Sequence, residues 1–272
     1  MNNTFILFNS TSCYNKKGSD YMAKALITGA SSGLGYTFAT NLSKMGYDLI
    51  LVARNGKKLK ELKEKLKTNV RYYELDLSIE ENVYKLYNLV RKDDIDLLIN
   101  NAGFGVFGEF YNTNIKKELE LINLNIKTVH ILTKLFLKKF KEKDAGQILN
   151  VASSAAFMPG PLLSSYYASK SYVYNLTLAI YEELRREKSN IRVSVLCPGP
   201  VNTNFNNVAG VNFSIKGISK EYVVKYTLKQ LFKGKLVIIP GIKMKLVRFF
   251  VRFIPAKLLL KITYNIQKKK EK

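Results

Sequence analysis

The stretch KALITGASSGLGYTFATNLSK, residues 24–44, joins a short apolar run to an amphipathic pattern through a glycine-rich turn. Lys24–Thr28 predicts a β-strand, and the residues after Gly35 predict a helix that extends to Met45. Between a strand and a helix N-terminus, bare glycine backbone lets a phosphate approach the N–H groups at the positive helix end. The stretch therefore predicts an α/β fold with a dinucleotide site behind the first strand.

Further along the chain, apolar runs alternate with amphipathic patterns of helical period. This alternation predicts a single-domain, Rossmann-like α/β fold, with a doubly wound parallel sheet and helices on both faces. A chain of 272 residues with 47% hydrophobic and 24% charged residues is typical of a soluble globular protein. The predicted strands after the first span residues 48–53, 70–75, 95–99, 147–151, 191–197 and 236–239.

Three polar residues accompany the fifth predicted strand. Ser153 follows the apolar run QILNVA, and Tyr166 and Lys170 lie four residues apart in a long predicted helix. That spacing places the ammonium one helical turn from the phenol. A phenol with a pKa of about 10 exchanges protons poorly at neutral pH unless a nearby cation favours the phenolate. We therefore expect Lys170 to lower the pKa of Tyr166, and Ser153 to hydrogen-bond the same substrate oxygen.

Four motifs occur in a fixed order along residues 22–240. They are the Gly-x3-Gly-x-Gly turn, Asn-Asn-Ala-Gly directly after the fourth strand, the Ser, Tyr and Lys just described, and Pro-Gly-x-Val-x-Thr directly after the sixth strand. In this combination the chain resembles the short-chain dehydrogenase/reductase family, and its glycine spacing differs from the commoner Gly-x-Gly-x2-Gly. The resemblance implies reversible hydride transfer between NADP(H) and a carbonyl carbon. It also implies that Asn101 ties adjacent strands together and that Val201 and Thr203 fix the nicotinamide carboxamide.

The resemblance further implies a role for each matched residue. Tyr166 would donate its proton to the substrate oxygen, Ser153 would orient that oxygen, and Lys170 would hold the nicotinamide ribose. Asn125 would distort its helix and complete a proton relay; Asn123 competes for this role, and the local pattern favours Asn125. The implied cofactor-binding residues are Gly29, Ser31, Ser32, Gly33, Leu34, Gly35, Arg54, Asp76, Leu77, Asn101, Ala102, Gly103, Tyr166, Lys170, Pro198, Val201 and Thr203.

The preferred cofactor depends on the end of the second strand, where Arg54 follows Ala53. A carboxylate at this place suits the ribose 2′-hydroxyl of NAD, whereas a cation suits the 2′-phosphate of NADP. Arg54 therefore predicts NADP(H), although Ser32 stands where many NADP-binding members have a basic residue. The alternative is that Arg54 is a solvated surface cation. Behind the third strand, Asp76 is expected beside the adenine or as the cap of a helix predicted over Ser78–Arg91.

The surroundings of the expected substrate site are poor in charge. The loop of residues 155–163 has no charged residue, and residues 204–219, predicted to form a flexible lid, have one. Such surroundings favour an apolar ketone, aldehyde or secondary alcohol over a sugar or a carboxylic acid. The alternative is that these apolar residues pack on the domain or on a partner subunit.

The net charge of +23 raises nucleic acid as a partner, but its distribution argues against one. Lys outnumbers Arg 36 to 8, and many lysines lie on amphipathic helices such as Lys57–Lys67, where solvated faces explain them. Two cysteines, Cys13 and Cys197, cannot form a disulfide framework and favour a reducing, cytoplasmic compartment. His130 is the only histidine, so we expect no metal site.

Residues 241–272 form a basic tail. From Lys233 onward there are 12 Lys or Arg and one acid, so +11 of the net charge of +23 lies in forty residues. Basic amphipathic helices are predicted on both sides of Pro255, and no charge-free window is long enough for a transmembrane helix. The tail is expected to cap the substrate pocket or to pack in a homo-oligomer, either a dimer or a tetramer. Peripheral contact with an anionic membrane surface is the alternative.

Residues 1–21 have neither the basic region nor the long apolar run of a signal peptide. One interpretation takes Met22 as the native start, with residues 1–21 extra or disordered; the other takes them as an ordinary flexible tail. Two other function classes also stay open. One is a catalytically silent NADP-binding regulator, a class that usually loses the Tyr or the Lys, and the other is a membrane-surface protein.

Overall fold

The computed structural model describes residues 22–203 and 217–269 of the chain. Seven parallel strands form one sheet in the order β3-β2-β1-β4-β5-β6-β7. The order reverses between β1 and β4, which is the switch point where doubly wound sheets bind ligands. The strands are β1 (Lys24–Thr28), β2 (Asp48–Ala53), β3 (Val70–Glu74), β4 (Leu97–Asn100), β5 (Gln147–Val151), β6 (Arg192–Leu196) and β7 (Val237–Ile238).

The helices of the described residues connect these strands and form the tail. A π-helical segment, Asn123–Thr128, interrupts the long helical stretch of residues 115–143. The α-helices are α1 (Gly33–Lys44), α2 (Gly56–Lys65), α3 (Glu80–Val90), α4 (Ile115–Ile122), α5 (Val129–Lys143), α6 (Ser164–Arg186), α7 (Lys220–Leu231), α8 (Ile242–Phe250) and α9 (Ala256–Lys268).

The two largest hydrophobic clusters of the described residues lie on opposite faces of the sheet. In β1, Ile27 belongs to the core that contains Phe38 of α1, whereas its neighbour Leu26 belongs to the core that contains Phe136 of α5. Successive strand residues point to opposite faces, so both faces of β1 are buried under helices. The predicted doubly wound parallel sheet with helices on both faces is therefore confirmed.

The parallel register brings the carboxyl ends of the strands to one edge of the sheet. Thr28 pairs with Val52, Asn100 pairs with Asn150, and Val151 pairs with Leu196. The loops that follow β1, β2, β4, β5 and β6 in the chain consequently start side by side, although they are far apart in the sequence. This edge collects the four sequence motifs.

Two predictions lie wholly or mostly outside the described residues. They concern residues 1–21 and the segment 204–216 of the predicted lid. The tail has the predicted helices on both sides of Pro255, since α8 leads through a short 3₁₀ turn, Val251–Phe253, to α9. Within residues 22–203 and 217–269, no helix is long and apolar enough to cross a membrane.

Candidate active site

The glycine turn behind β1 is tight at two of its positions. Gly29 and Gly33 have φ angles of 67° and 55°, a region that favours glycine. Gly35 instead permits a close approach, because a Cβ there would lie 2.2 Å from the carbonyl oxygen of Gly29. The turn therefore folds back on itself and leads directly into α1.

The N-terminus of α1 lacks a side-chain cap among the described residues. Its N-cap residue, Ser32, makes no capping hydrogen bond, whereas Asn55 caps α2 and Asn114 caps α4. The first N–H groups of a helix need a partner, and the positive end of the helix dipole favours an anion. The turn and this helix end thus fit the pyrophosphate of a dinucleotide.

A buried hydrogen-bond cluster joins β1 to the loop behind β4. The Thr28 hydroxyl accepts hydrogen bonds from the backbone N–H groups of Asn101 and Ala102, both at 3.0 Å. The Asn101 side-chain amide donates to the carbonyl oxygens of Thr28 at 2.9 Å and Gly29 at 3.3 Å. Asn101 thus ties the two loops together, the structural role expected for it.

One cleft of about 430 Å³ lies along the carboxyl edge of the sheet. Most residues predicted to bind the cofactor or to act in catalysis line this cleft, while Gly35 and Asn125 lie behind its wall. The lining includes Gly29, Ser31, Ser32, Gly33, Leu34, Arg54, Asp76, Leu77, Asn101, Ala102, Gly103, Ser153, Tyr166, Lys170, Pro198, Val201 and Thr203.

The hydroxyl groups of Ser153 and Tyr166 form a hydrogen bond inside this cleft. The Ser153 hydroxyl also accepts from the N–H of Ala155, at 3.2 Å, which fixes the start of the following 3₁₀ turn. Burial raises the pKa of Tyr166 to about 12, and the hydrogen bond with Ser153 opposes this rise. The predicted direction was a lowering by Lys170; it is wrong because loss of solvation dominates the environment of the phenol.

Lys170 lies one turn after Tyr166, with its ammonium 5.7 Å from the centre of the phenol ring. The ammonium donates a hydrogen bond to the carbonyl oxygen of Val151, at 3.0 Å. Only 5% of the Lys170 residue is exposed, and burial lowers the pKa of its ammonium to about 8. The cation is therefore held close to the ring by the end of β5 as well as by the helix spacing.

Asn125 lies in the π-helical segment and is fully buried. Its amide accepts from the N–H of Phe104 at 3.1 Å and donates to the carbonyl of Phe104 at 2.9 Å. It also donates to the Ser169 hydroxyl at 3.1 Å. A Cβ on Gly103 would lie 2.8 Å from Asn125 Oδ1 and 3.4 Å from Lys170 Nζ. Gly103 therefore lies between these two side chains and leaves no room for a larger residue.

Arg54 extends from the end of β2 towards two carboxylates. Its Nη1 lies 3.0 Å from Oε1 of Glu120, on α4, and 3.8 Å from Oδ2 of Asp76. The Arg54 side chain is 57% exposed at the mouth of the cleft. Asp76 also accepts hydrogen bonds from the N–H and the hydroxyl of Ser78, whereas Ile79 is the N-cap of α3. Asp76 therefore orders the turn before α3 and does not cap that helix.

The loop that follows β6 is held against the segment that precedes α7 and against the glycine turn. Val201 forms an isolated parallel bridge with Ile218, and Ile218 donates to the carbonyl of Pro200 at 3.0 Å. A Cβ on Gly33 would meet Thr203 at 3.5 Å, so the loop lies directly over the turn. Cys197, just before this loop, is fully buried, and burial raises its thiol pKa to about 12, which is unsuitable for a nucleophile.

Sequence reasoning did not find every residue of the site. Glu120 was not predicted, because its link to Arg54 joins positions 66 apart in the sequence. Tyr167 and Leu163 also line the cleft. Their closeness to Tyr166 in the sequence was the one signal that could have predicted this. Among the described residues, no group of His, Cys, Asp or Glu side chains could hold a metal ion.

Comparisons with known proteins agree with this geometry. The family described as short chain dehydrogenase matches residues 23–211. An uncharacterized oxidoreductase of Staphylococcus epidermidis is 31% identical over 182 residues, which covers 66% of this chain and 78% of the relative. The very-long-chain 3-oxoacyl-CoA reductase of Rattus norvegicus is 31% identical over 172 residues, covering 59% of this chain and 54% of that protein's length.

Solved structures show the same architecture. A short-chain dehydrogenase from Sphingobium yanoikuyae in complex with NADPH has a TM-score of 0.76 and 27% identity, over 86% of this chain and 96% of that one. A member from Burkholderia phymatum in complex with NAD has a TM-score of 0.78 and 22% identity, over 85% of this chain and 93% of that one. At the latter identity the likeness shows the fold alone.

Proposed function

The chain belongs to the short-chain dehydrogenase/reductase family of oxidoreductases, and on that premise we propose that it transfers hydride between NADP(H) and an apolar ketone, aldehyde or secondary alcohol. The observation that carries the proposal is the hydrogen-bonded pair of Ser153 and Tyr166, with Lys170 behind it, in the same cleft as the glycine turn. NADP(H), when bound, supplies or accepts the hydride.

In reduction, Tyr166 acts as the proton donor to the substrate oxygen. Burial raises the pKa of its phenol to about 12, so the phenol carries its proton throughout the neutral range. Ser153 orients the same oxygen and stabilises the negative charge that develops on it. The hydrogen bond between the two hydroxyl groups supports this role, because it places both side chains where one substrate oxygen could contact them.

Lys170 supports the phenol from behind. Because burial lowers its pKa to about 8, the ammonium can exchange a proton near neutral pH, which suits a relay that recharges Tyr166. Asn125 holds the loop that contains Gly103 beside the ammonium through its paired bonds to Phe104. In this proposal Lys170 is a catalytic residue through its contact with the cofactor ribose, and Asn125 is a positioning residue.

Arg54 supports a preference for NADPH over NADH. Its guanidinium is exposed at the mouth of the cleft, where a 2′-phosphate could form charge-assisted hydrogen bonds with it. The carboxylates of Glu120 and Asp76 lie 3.0 Å and 3.8 Å from Nη1 of this guanidinium. The NADPH complex of the Sphingobium yanoikuyae relative is consistent with the same choice.

The proposed substrate class rests on the wall around Tyr166. Phe104, Ala155, Leu163 and Tyr167 line this part of the cleft, and none of them is charged at neutral pH. A wall of this kind favours an apolar carbonyl compound. The rat relative, a very-long-chain 3-oxoacyl-CoA reductase, makes 3-oxoacyl thioesters the first compounds to test. A homo-oligomer, dimer or tetramer, remains our expectation, to be checked by light scattering.

The test is oxidation of NADPH and NADH by the purified protein with apolar ketones, aldehydes and 3-oxoacyl thioesters. Tyr166→Phe should lower turnover by about 10²–10⁴-fold, the usual contribution of a positioned proton donor, while NADPH binding is retained. Tyr172→Phe is the matched control, because Tyr172 is on the same helix and outside the cleft lining. Wild-type turnover in Tyr166→Phe would refute the assignment. Tight NADPH binding without turnover of any compound would favour the catalytically silent regulator.

A further inference from the structure

We propose that the outer face of α8, together with the 3₁₀ turn that follows it in the chain, docks the protein on an anionic membrane surface. This face, called here the tail surface, consists of the exposed side chains of Ile242, Leu246, Phe249, Phe250 and Phe253 together with the basic residues beside them. The interaction is peripheral: the helix lies in the plane of the lipid headgroups with its apolar side chains at the acyl boundary.

The apolar part of the tail surface is unusually exposed. Phe249, Phe250 and Phe253 are 57%, 56% and 69% exposed, and their rings contact one another with centroids 5.3 Å apart in each pair that involves Phe249. Three adjoining aromatic rings in water are costly, since each leaves a large apolar area hydrated. The cluster therefore points to an apolar layer that covers it in the cell.

The opposite face of α8 is occupied by the protein itself. Met244 contacts the loop behind β6, since a Cβ on Gly199 would lie 2.7 Å from its side chain. One turn later, Arg248 donates to the Tyr174 hydroxyl at 2.9 Å. Residues four apart share one helix face, so these two contacts fix which side of α8 faces the sheet and leave the aromatic side outward.

Charge identifies the layer that the tail surface would contact. Residues 242–269 contain eight Lys or Arg and no Asp or Glu. In α8, exposed Lys243 and Lys245 border the apolar stripe on its two sides, and exposed Arg252 follows it. A cationic rim around aromatic side chains is the pattern that binds anionic lipid headgroups, where each cation near the surface adds to the attraction.

A second copy of this chain is a poorer occupant of the same face. A symmetric contact would bring two identical surfaces together, each with basic residues and no acid between 242 and 269. Like charges at such a contact repel and cost free energy. An anionic bilayer instead neutralises the basic rim and covers the three aromatic rings.

Docking would also place the active-site cleft next to a helix that lies on the bilayer. The inner faces of the two tail helices contact cleft residues, because Met244 packs on Gly199 and the Gln267 side-chain amide donates to the Tyr167 hydroxyl. On the proposed function, this placement suits a substrate that partitions into lipid. This last consequence rests on the proposed function, whereas the docking itself does not.

The experiment is flotation of the full-length protein with phosphatidylcholine vesicles and with vesicles that also contain phosphatidylglycerol. We expect flotation only with the anionic vesicles at low salt, and release at high salt because surface charges are screened. Substitution of Phe249, Phe250 and Phe253 by Ser should lower the bound fraction by about tenfold or more. Lys243→Gln, Lys245→Gln and Arg252→Gln together should weaken binding similarly.

The matched control is Lys57→Gln, Lys60→Gln and Lys63→Gln on α2, which removes the same charge from another exposed helix. It should float like the wild type. An equal loss of bound protein in this control would show that net charge alone drives binding, which would overturn the proposal of a specific surface. Failure of the wild type to float with either kind of vesicle would also overturn the proposal. If the aromatic variant instead converts a dimer to a monomer in sedimentation, the partner is a second copy. Thermal melting of each variant shows that it is folded, and none of these outcomes depends on catalysis.

Discussion

Nη1 of Arg54 lies 3.0 Å from Oε1 of Glu120, which links the end of β2 to α4 across the mouth of the cleft. A carboxylate on the guanidinium competes with any anion for the same donors. Glu120→Gln should therefore raise the affinity for NADPH while leaving that for NADH unchanged. A partly exposed pair is worth at most about 1 kcal/mol, so the expected gain is up to about fivefold. Titration of cofactor fluorescence measures it.

Glu80→Gln is the control for that variant, because Glu80 also pairs with a surface cation, Lys127, on another part of the molecule. Its affinity for NADPH should equal that of the wild type. A lower affinity for NADPH in Glu120→Gln would show that Glu120 positions Arg54 for the phosphate and does not compete with it.

Arg54→Gln tests the cofactor preference from the other side. Loss of a charge-assisted contact with the 2′-phosphate should lower the affinity for NADPH by about tenfold or more, with NADH affected little. The ratio of the two dissociation constants is the measurement. An unchanged ratio would show that Arg54 is a solvated surface cation, the alternative interpretation, and does not bind the 2′-phosphate.

Asn125→Ala should be strongly destabilising, unlike Asn123→Ala in the same π-helical segment. The Asn125 amide makes three buried hydrogen bonds, to both backbone groups of Phe104 and to Ser169. Removing it leaves those groups unpaired, and an unpaired buried group costs about 1–3 kcal/mol. We expect a loss of about 3 kcal/mol in the free energy of unfolding by urea. Equal effects of the two variants would contradict this reading of the segment.

Thr28→Val keeps the shape of a fully buried side chain and removes its hydroxyl. The N–H groups of Asn101 and Ala102 would lose their acceptor, so we expect a cost of about 2 kcal/mol or more in the free energy of unfolding. Thr40→Val is the control, because within residues 22–203 and 217–269 the Thr40 hydroxyl bonds to nothing but a carbonyl of its own helix. Similar stabilities for both variants would show that water replaces the lost acceptor.

Lys170→Met should change the pH dependence of stability. Burial lowers the pKa of Lys170 from 10.5 to about 8, so between these values the unfolded chain holds a proton that the folded chain has lost. Stability from this group therefore rises with pH across that window and is lost as pH falls through 8. Between pH 7 and pH 10, the free energy of unfolding of the wild type should rise by about 2 kcal/mol more than that of Lys170→Met. A difference between the two proteins that stays constant from pH 7 to pH 10 would contradict the lowered pKa.

Much of the fold could be predicted because its signals are local. The strand, turn and helix of residues 24–44 and the alternation behind them predicted the doubly wound sheet. Helix boundaries were less exact: the helix predicted over Ser78–Arg91 is Glu80–Val90, because Asp76 orders a turn at Ser78 first. Such a turn depends on where one side chain points, and the periodicity of the sequence does not record that.

By itself the sequence determined the architecture and the order of the motifs, because strand and helix periodicity and glycine turns act over a few residues. The tertiary structure decided how the motif residues are held. It set the direction of the Tyr166 pKa, since burial depends on everything packed around the phenol. It paired Arg54 with Glu120, and it turned Met244 inward and Phe249 outward in the tail. These outcomes depend on contacts between residues that are distant in the chain, which only the folded molecule brings together.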